Sequence, residues 1–185
     1  MTFIEEIIQT NQKKSETMAA TITPKILQLR KESIRRSMMV EDEGHRREYF
    51  ARVADVDFCD DSMACTLNAS WFTLESAYRP VVWIMQCGES LSELSELTSL
   101  VSRTVRAVVV MGGDVDSVKE IFADVSVASA DDMEGAVAVA MEMAKPNDVV
   151  MLSPSCSPSY PYSGVADRGD HFKSIVRRLT DGVHS

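Results

Sequence analysis

The chain has 185 residues, 45% of them apolar and 25% charged, a balance that supports one ordinary globular core and excludes a disordered tail. It carries 28 acidic against 19 basic side chains, a net charge of −9, which opposes binding to phosphate backbones and sets nucleic acid aside as a partner. No run approaches the ~20 apolar residues of a membrane span, and the start Met1-Thr2-Phe3-Ile4-Glu5-Glu6 lacks a basic, then apolar, secretion signal. The expectation is a cytoplasmic protein with no membrane partner.

Residues 3–38 read as helical. Phe3, Ile4, Ile7 and Ile8 share one face, Ile22, Ile26, Leu29 and Ile34 recur at helical spacing, and Pro24 suits the first turn of a second helix. Residues 11–36 hold seven Lys/Arg and two Glu. Lys25, Arg30, Lys31, Arg35 and Arg36 make either a solvated helix face, the favoured reading, or a basic arm for an acidic surface. Apolar faces on these helices need cover, so residues 3–38 are expected to pack on the domain, on a protein partner or on a second copy. The acidic run Glu41-Asp42-Glu43 reads as a linker, dividing a helical extension (1–43) from a domain over 44–185.

After Gly44 short β-rich runs alternate with helical stretches. Val53–Cys59 reads as one strand, and Val81–Met85, Ala107–Met111 and Val149–Leu152 are continuous apolar runs of the kind covered on both faces. Helices are expected near 64–77, 91–102, 115–123, 131–144 and 168–179. This alternation predicts an α/β fold: a doubly wound, mostly parallel Rossmann-like sheet with helices on both faces, plus the N-terminal helical extension. Loops after the strand C-termini then share one edge, where ligands bind.

The loops carry modest signals. There is no Gly-x-x-x-x-Gly-Lys-Ser/Thr and no Gly-x-Gly-x-x-Gly, so the chain holds no P-loop of its own. Gly112-Gly113 between a strand and a helix reads as a tight turn before an anion cradle. Asp60-Asp61 could hold a ribose hydroxyl or a metal; the reading preferred from sequence is a helix N-cap with a first-turn acid. Ser153, Ser155, Cys156 and Ser157 lie between and beside Pro154 and Pro158, a hydroxyl-rich loop in which Cys156 reads as structural before nucleophilic. Cys59, Cys65, Cys87 and Cys156, spaced 6, 22 and 69 residues apart, have no Cys-x-x-Cys pair, and His45, His171 and His184 are scattered; buried reduced thiols are expected and no metal site.

Taken in order, four of these segments resemble motifs of the Mur ligases, in the C-terminal, glutamate-ligase-type domain. They are His45-Arg46 with Glu48 (family His-Arg-x-Glu), Asp60-Asp61-Ser62-Met63-Ala64-Cys65 (Asn-Asp-Ser-Lys-Ala-Thr), Leu152-Ser153-Pro154-Ser155-Cys156 (Leu-Ser-Pro-Ala-Cys) and Asp167-Arg168-Gly169-Asp170-His171-Phe172 (Glu-Arg-Gly-x-x-Phe). The resemblance spans about residues 44–179. It implies a domain that receives an amino acid and closes over ATP bound on a separate P-loop domain, in ligases that activate a carboxylate as an acyl phosphate in peptidoglycan-precursor synthesis.

By that resemblance His45, Arg46 and Asp61 face a nucleotide. The amino-acid pocket departs from the pattern: the family lysine is Met63, its threonine Cys65, a second lysine Ser90, a serine Pro158 and a phenylalanine Tyr162. Charge-assisted hydrogen bonds are worth about 1.5–3 kcal/mol each, so losing two lysines weakens both dicarboxylate binding and acyl-phosphate stabilisation. No catalytic residue is assigned. The expectation is a binding, regulatory or assembly module, for a nucleotide or small anion, with ATP or ADP engaged only alongside a partner domain. The alternatives are the amino-acid half of a ligase completed by a separate P-loop subunit, or part of a longer ligase chain; the start at Met1 and the polar end weigh against the last.

Overall fold

The computed structural model describes residues 44–86 and 91–183. The helices expected over residues 3–38, the linker at 41–43, and Cys87 and Ser90 lie outside the described residues. Six strands form one sheet: β1 (Glu48–Val53), β2 (Val56–Asp60), β3 (Val81–Gln86), β4 (Val105–Met111), β5 (Ser126–Ala130) and β6 (Val149–Leu152). Their order is β1-β2-β6-β3-β4-β5, with β1 antiparallel to β2 and every other pair parallel. The helices are α1 (Leu67–Glu75), α2 (Leu91–Leu94), α3 (Thr98–Thr104), α4 (Val115–Ile121), α5 (Met133–Met143) and α6 (Val165–Val183), with a 3₁₀ turn at Ser95–Leu97.

The central strands are apolar throughout because both faces are covered. Alternate residues separate into two cores. Val82 and Ile84 of β3, Ala107 and Val109 of β4, and Val150 and Leu152 of β6 meet Ala136, Val137 and Ala140 of α5 and Phe172 and Val176 of α6. Val81, Trp83 and Met85, Val108 and Val110, and Val149 and Met151 meet Leu74 of α1, Leu100 and Val101 of α3, and Val118 of α4. This is the doubly wound α/β architecture expected from the sequence. No helix among the described residues is long and apolar enough to cross a membrane.

Three expectations are corrected. The run Val53–Cys59 is not one strand but crosses a hairpin, from the end of β1 at Val53 through a turn into β2 at Val56: Ala54 and Asp55 have φ of 47° and 63° and connect the two strands. Both central residues at positive φ is the geometry of a type I′ two-residue loop, whose twist matches the flanking strands. The edge strand β5, Ser-Val-Ala-Ser-Ala, was not expected at all; among the described residues it pairs with β4 alone, and it needs no apolar run. The last helix begins at Val165 rather than near 168, and α1 is shorter than 64–77. Gly112 and Gly113, at φ 68° and 76°, form the tight turn, and Asp114 caps α4 by accepting from Ser117 N at 3.1 Å.

Candidate functional site

The C-terminal ends of β2, β3 and β6 are neighbours in the sheet, so the loops that follow them share one edge. The β2 loop starts with Asp60 and Asp61. Neither caps a helix: the N-cap of α1 is Thr66, which accepts from Ala69 N at 3.2 Å. The two aspartates are instead buried and serve different networks.

Asp60 faces the segment before β1. Its Oδ2 meets His45 Nδ1 at 2.6 Å and lies 3.6 Å from Lys173 Nζ, and its Oδ1 accepts from Ser62 N and Oγ at 3.0 and 2.6 Å. Lys173 also pairs with Glu48, whose carboxyl its hydrogen bond holds below the usual range, and Glu48 accepts from His45 N at 3.0 Å. His45, Glu48 and Asp60 thus converge closely enough to ligate a cation. The Lys173 ammonium already supplies that positive charge, so the cluster is an ion-pair network that fixes the bend at His45 (φ 71°).

Asp61 turns to the other side. It accepts from Arg47 N at 3.2 Å and Ser153 Oγ at 2.9 Å, with Thr73 also bonding to it. Burial pushes its carboxyl up to about 6, against these hydrogen bonds, which lower it. The sign for stability follows. A folded pKa above the unfolded value near 3.8 means the native state holds the proton more tightly, so this contribution is full below pH 3.8 and fades as pH rises through 6. Relative to Asp61→Asn, the parent is expected to lose about 2 kcal/mol between pH 4 and pH 7. Urea unfolding of both proteins across that range checks it; parallel curves would contradict the assignment.

Arg46 and Arg47 follow His45 and line a cleft of about 230 Å³ with Tyr49, Thr73, Ser76, Ala77, Tyr78 and Met151. Arg47 (φ 47°) bonds Ser76 Oγ at 3.2 Å and lies 6.0 Å from the Phe72 ring centroid. On a chain of net charge −9, two adjacent guanidinium groups beside aromatic rings make a local anion-attracting surface.

The remaining described candidates lie on the loops after β2 and β6, which meet at Arg168 of the fourth motif. Arg168 on α6 is fully buried. Its Nη1 donates to Gln86 Oε1 (3.3 Å) and the Cys156 carbonyl (3.1 Å), and its Nη2 to the Ser62 carbonyl (2.9 Å) and Cys156 carbonyl (3.1 Å). One guanidinium therefore ties the loops after β2 and β6 to the end of β3. Met63, Cys65, Ser155, Cys156, Pro158 and Tyr162 are half-buried around them, Ser153 is buried and Ser157 exposed. Ser70 links Ser153 and Ser155 through their hydroxyls at 2.9 and 2.8 Å, and Trp83 Nε1 donates to the Ser153 carbonyl at 2.7 Å. Tyr162 is turned to α6 by a 3.0 Å bond to His171 Nδ1. Among the described cysteines, Cys59 fits the expectation of buried thiols, and Cys65 and Cys156 are partly exposed. The sequence signal for Arg168 was Gly169 beside it, a glycine inside a helix that packs directly on His45 and Asp60.

The family described as "Mur ligase, glutamate ligase domain" matches residues 45–156. The UDP-N-acetylmuramoylalanine--D-glutamate ligase of Salinibacter ruber is 36% identical over 166 residues, 88% of this chain and 36% of the relative. That of Christiangramia forsetii is 30% identical over 178 residues, 95% of this chain and 40% of the relative. The chain thus spans two fifths or less of the length of these curated relatives. Among solved structures, the MurF ligase of Thermotoga maritima in complex with ADP shares the fold at 15% identity and a TM-score of 0.50, over 78% of this chain and 33% of that one. With the family's loop motifs gathered on one sheet edge and its match covering most of the described domain, this chain belongs to the Mur ligase family and carries its C-terminal, glutamate ligase domain.

Proposed function

We propose that this domain binds a nucleotide through the Arg46 side of its ligand edge and does not process D-glutamate, acting as a binding or regulatory module linked to peptidoglycan-precursor synthesis. One observation carries the reading: the loops at residues 60–66 and 153–162 contain no lysine or arginine, and the guanidinium beneath them has all four Nη hydrogens engaged. Arg168 supplies positive potential there but no spare Nη donor. Lys173 is tied to Glu48 and Asp60. A dicarboxylate entering these loops would shed its hydration shell without gaining the two charge-assisted contacts that lysines at positions 63 and 90 would give, a deficit of about 3–6 kcal/mol, or two to four orders of magnitude in affinity. The Arg46–Arg47 cleft, by contrast, offers both charge and aromatic surface for a nucleotide.

The second reading is the amino-acid half of an ATP-dependent ligase completed by a P-loop subunit or by further domains. Its support is that the relatives this chain matches are ligases of which it spans at most two fifths. Calorimetric titration separates the two. The proposal expects ADP to bind with an affinity at least tenfold weaker in Arg46→Ala, and no saturable heat from D-glutamate. Saturable D-glutamate binding, or D-glutamate-dependent phosphate release once a P-loop partner is added, would establish the ligase reading instead.

A further inference from the structure

Two cysteines occupy the facing loops of the ligand edge. Cys65 follows β2 and Cys156 follows β6, and the loops are joined one residue earlier, where Ser155 N donates to the Ala64 carbonyl at 2.9 Å. A backbone hydrogen bond of this length holds the two chains about 5 Å apart at residues 64 and 155, and the cysteines are the next residue on each, so they start near the roughly 4.4–6.8 Å Cα separation a disulfide requires. Arg168 gathers the same two residues: its Nη2 lies 3.9 Å from Cys65 Sγ and 3.1 Å from the Cys156 carbonyl. Ser155, immediately before Cys156, holds φ at 65°, a left-handed conformation that costs a non-glycine residue energy and that the surrounding loop enforces. Both thiols are partly exposed, with a fixed positive charge beside one of them, the setting in which cysteines react. Cys59 provides an internal contrast: it is completely buried and its thiol is pushed far up by desolvation.

We propose that Cys65 and Cys156 form a dithiol site that a low-molecular-weight disulfide oxidises to a bond across the ligand edge. The thiolate of one cysteine attacks a sulfur of the reagent R–S–S–R, forming a mixed disulfide and releasing RS⁻, which takes up the proton that the cysteine lost. The second thiolate then attacks the cysteine sulfur of the mixed disulfide and expels a second RS⁻, protonated in the same way. Two thiols become one disulfide while one R–S–S–R becomes two R–SH. The product staples the loop after β2 to the loop after β6. No ligand enters this reaction, so it stands or falls separately from the nucleotide reading.

The test is oxidised glutathione added to the folded full-length chain carrying Cys87→Ser, read by intact mass and peptide mapping. The expected product loses two hydrogens, keeps no glutathione, joins the peptides of Cys65 and Cys156, and is returned to the starting mass by dithiothreitol. In the same background Cys65→Ser and Cys156→Ser should each retain one glutathione instead. The oxidised chain should also unfold at a higher temperature than the reduced one. Two retained glutathiones, no reaction, or a Cys65–Cys156 link that appears only in urea would overturn the proposal. Mapping the parent chain guards against an effect of the Cys87→Ser change: the same link should dominate there, and a dominant link to Cys87 would equally overturn it.

Discussion

Gly169→Ala is expected to lower the melting temperature by roughly 6–12 °C, corresponding to about 3 kcal/mol in a domain of this size. The sign needs argument, because alanine is the better helix former and Gly169 lies inside α6, where the exchange would ordinarily gain about 1 kcal/mol. A Cβ at this position would sit 2.6 Å from Asp60 Oδ2 and closer still to His45 Nδ1. Neither neighbour is free to give way. Asp60 is fully buried with both oxygens engaged, and His45 is fixed by Asp60 on its ring and by Glu48 on its backbone. Overpacking alone costs about 1–3 kcal/mol, and separating the buried His45–Asp60 contact leaves a carboxylate short of a partner, worth about 3–5 kcal/mol in such settings. Those terms outweigh the helix gain. Gly164→Ala is the control: nothing lies within 4 Å of its Cβ position, and the change should stay within about 0.5 kcal/mol. Thermal unfolding of the pair checks the claim, and equal midpoints for both variants would refute the tight-approach role of Gly169. The clash falls on the residue preceding Arg46, so any Gly169→Ala protein that folds should also bind nucleotide less well than the parent.

The parts of the fold legible in the sequence are those where a physical pattern has one interpretation. Val81–Met85, Ala107–Met111 and Val149–Leu152 are apolar at every position, and only a strand covered on both faces asks for that. The hairpin of β1 and β2 was hidden because its turn is Ala54-Asp55 rather than Asn-Gly, leaving no glycine to mark the positive φ values. The edge strand β5 was hidden because small and polar residues suffice where one side has no strand partner among the described residues. Asp60-Asp61 misled for a different reason. Two acids before a helical stretch fit a cap, but the strand runs on to Asp60 and Thr66, six residues later, is the cap. What made these aspartates buried was distant in sequence: Ser153 on one side, and His45 and Lys173 on the other. Motif order pointed to the loops that the structure gathers on one sheet edge. It missed the joint role of Arg168, because a buried arginine bonded to carbonyls leaves no periodic or charge-pair signal, only a glycine beside it.

Arg168→Met is expected to destabilise the domain by about 3 kcal/mol and to loosen the 153–162 loop in particular. Replacing a buried ion pair by apolar groups is often neutral, because both partners leave together. Here the main partners cannot leave: the Ser62 and Cys156 acceptors are backbone carbonyls, and only the Gln86 amide and the Cys65 thiol are side chains. Methionine fills much of the volume but strands those acceptors, at about 1–3 kcal/mol for each one left without a donor. Relief of burying a guanidinium bonded to carbonyls rather than to a carboxylate offsets part of that loss, and so the net value is set near the cost of one or two lost bonds. Arg168→Lys should recover less than half, since a compact ammonium cannot replace a planar fork that serves two loops and the end of β3. Hydrogen exchange distinguishes this from a general loss of stability. Amides of 153–162 should exchange faster in Arg168→Met by a larger factor than amides of β4, which lies away from the guanidinium and is held by β3 and β5. A uniform increase across both segments would mean that Arg168 only fills space. An increase confined to the loop would show that the ligand edge is held in shape before any ligand arrives, the condition under which Arg46 and Asp61 can present their groups at a fixed separation.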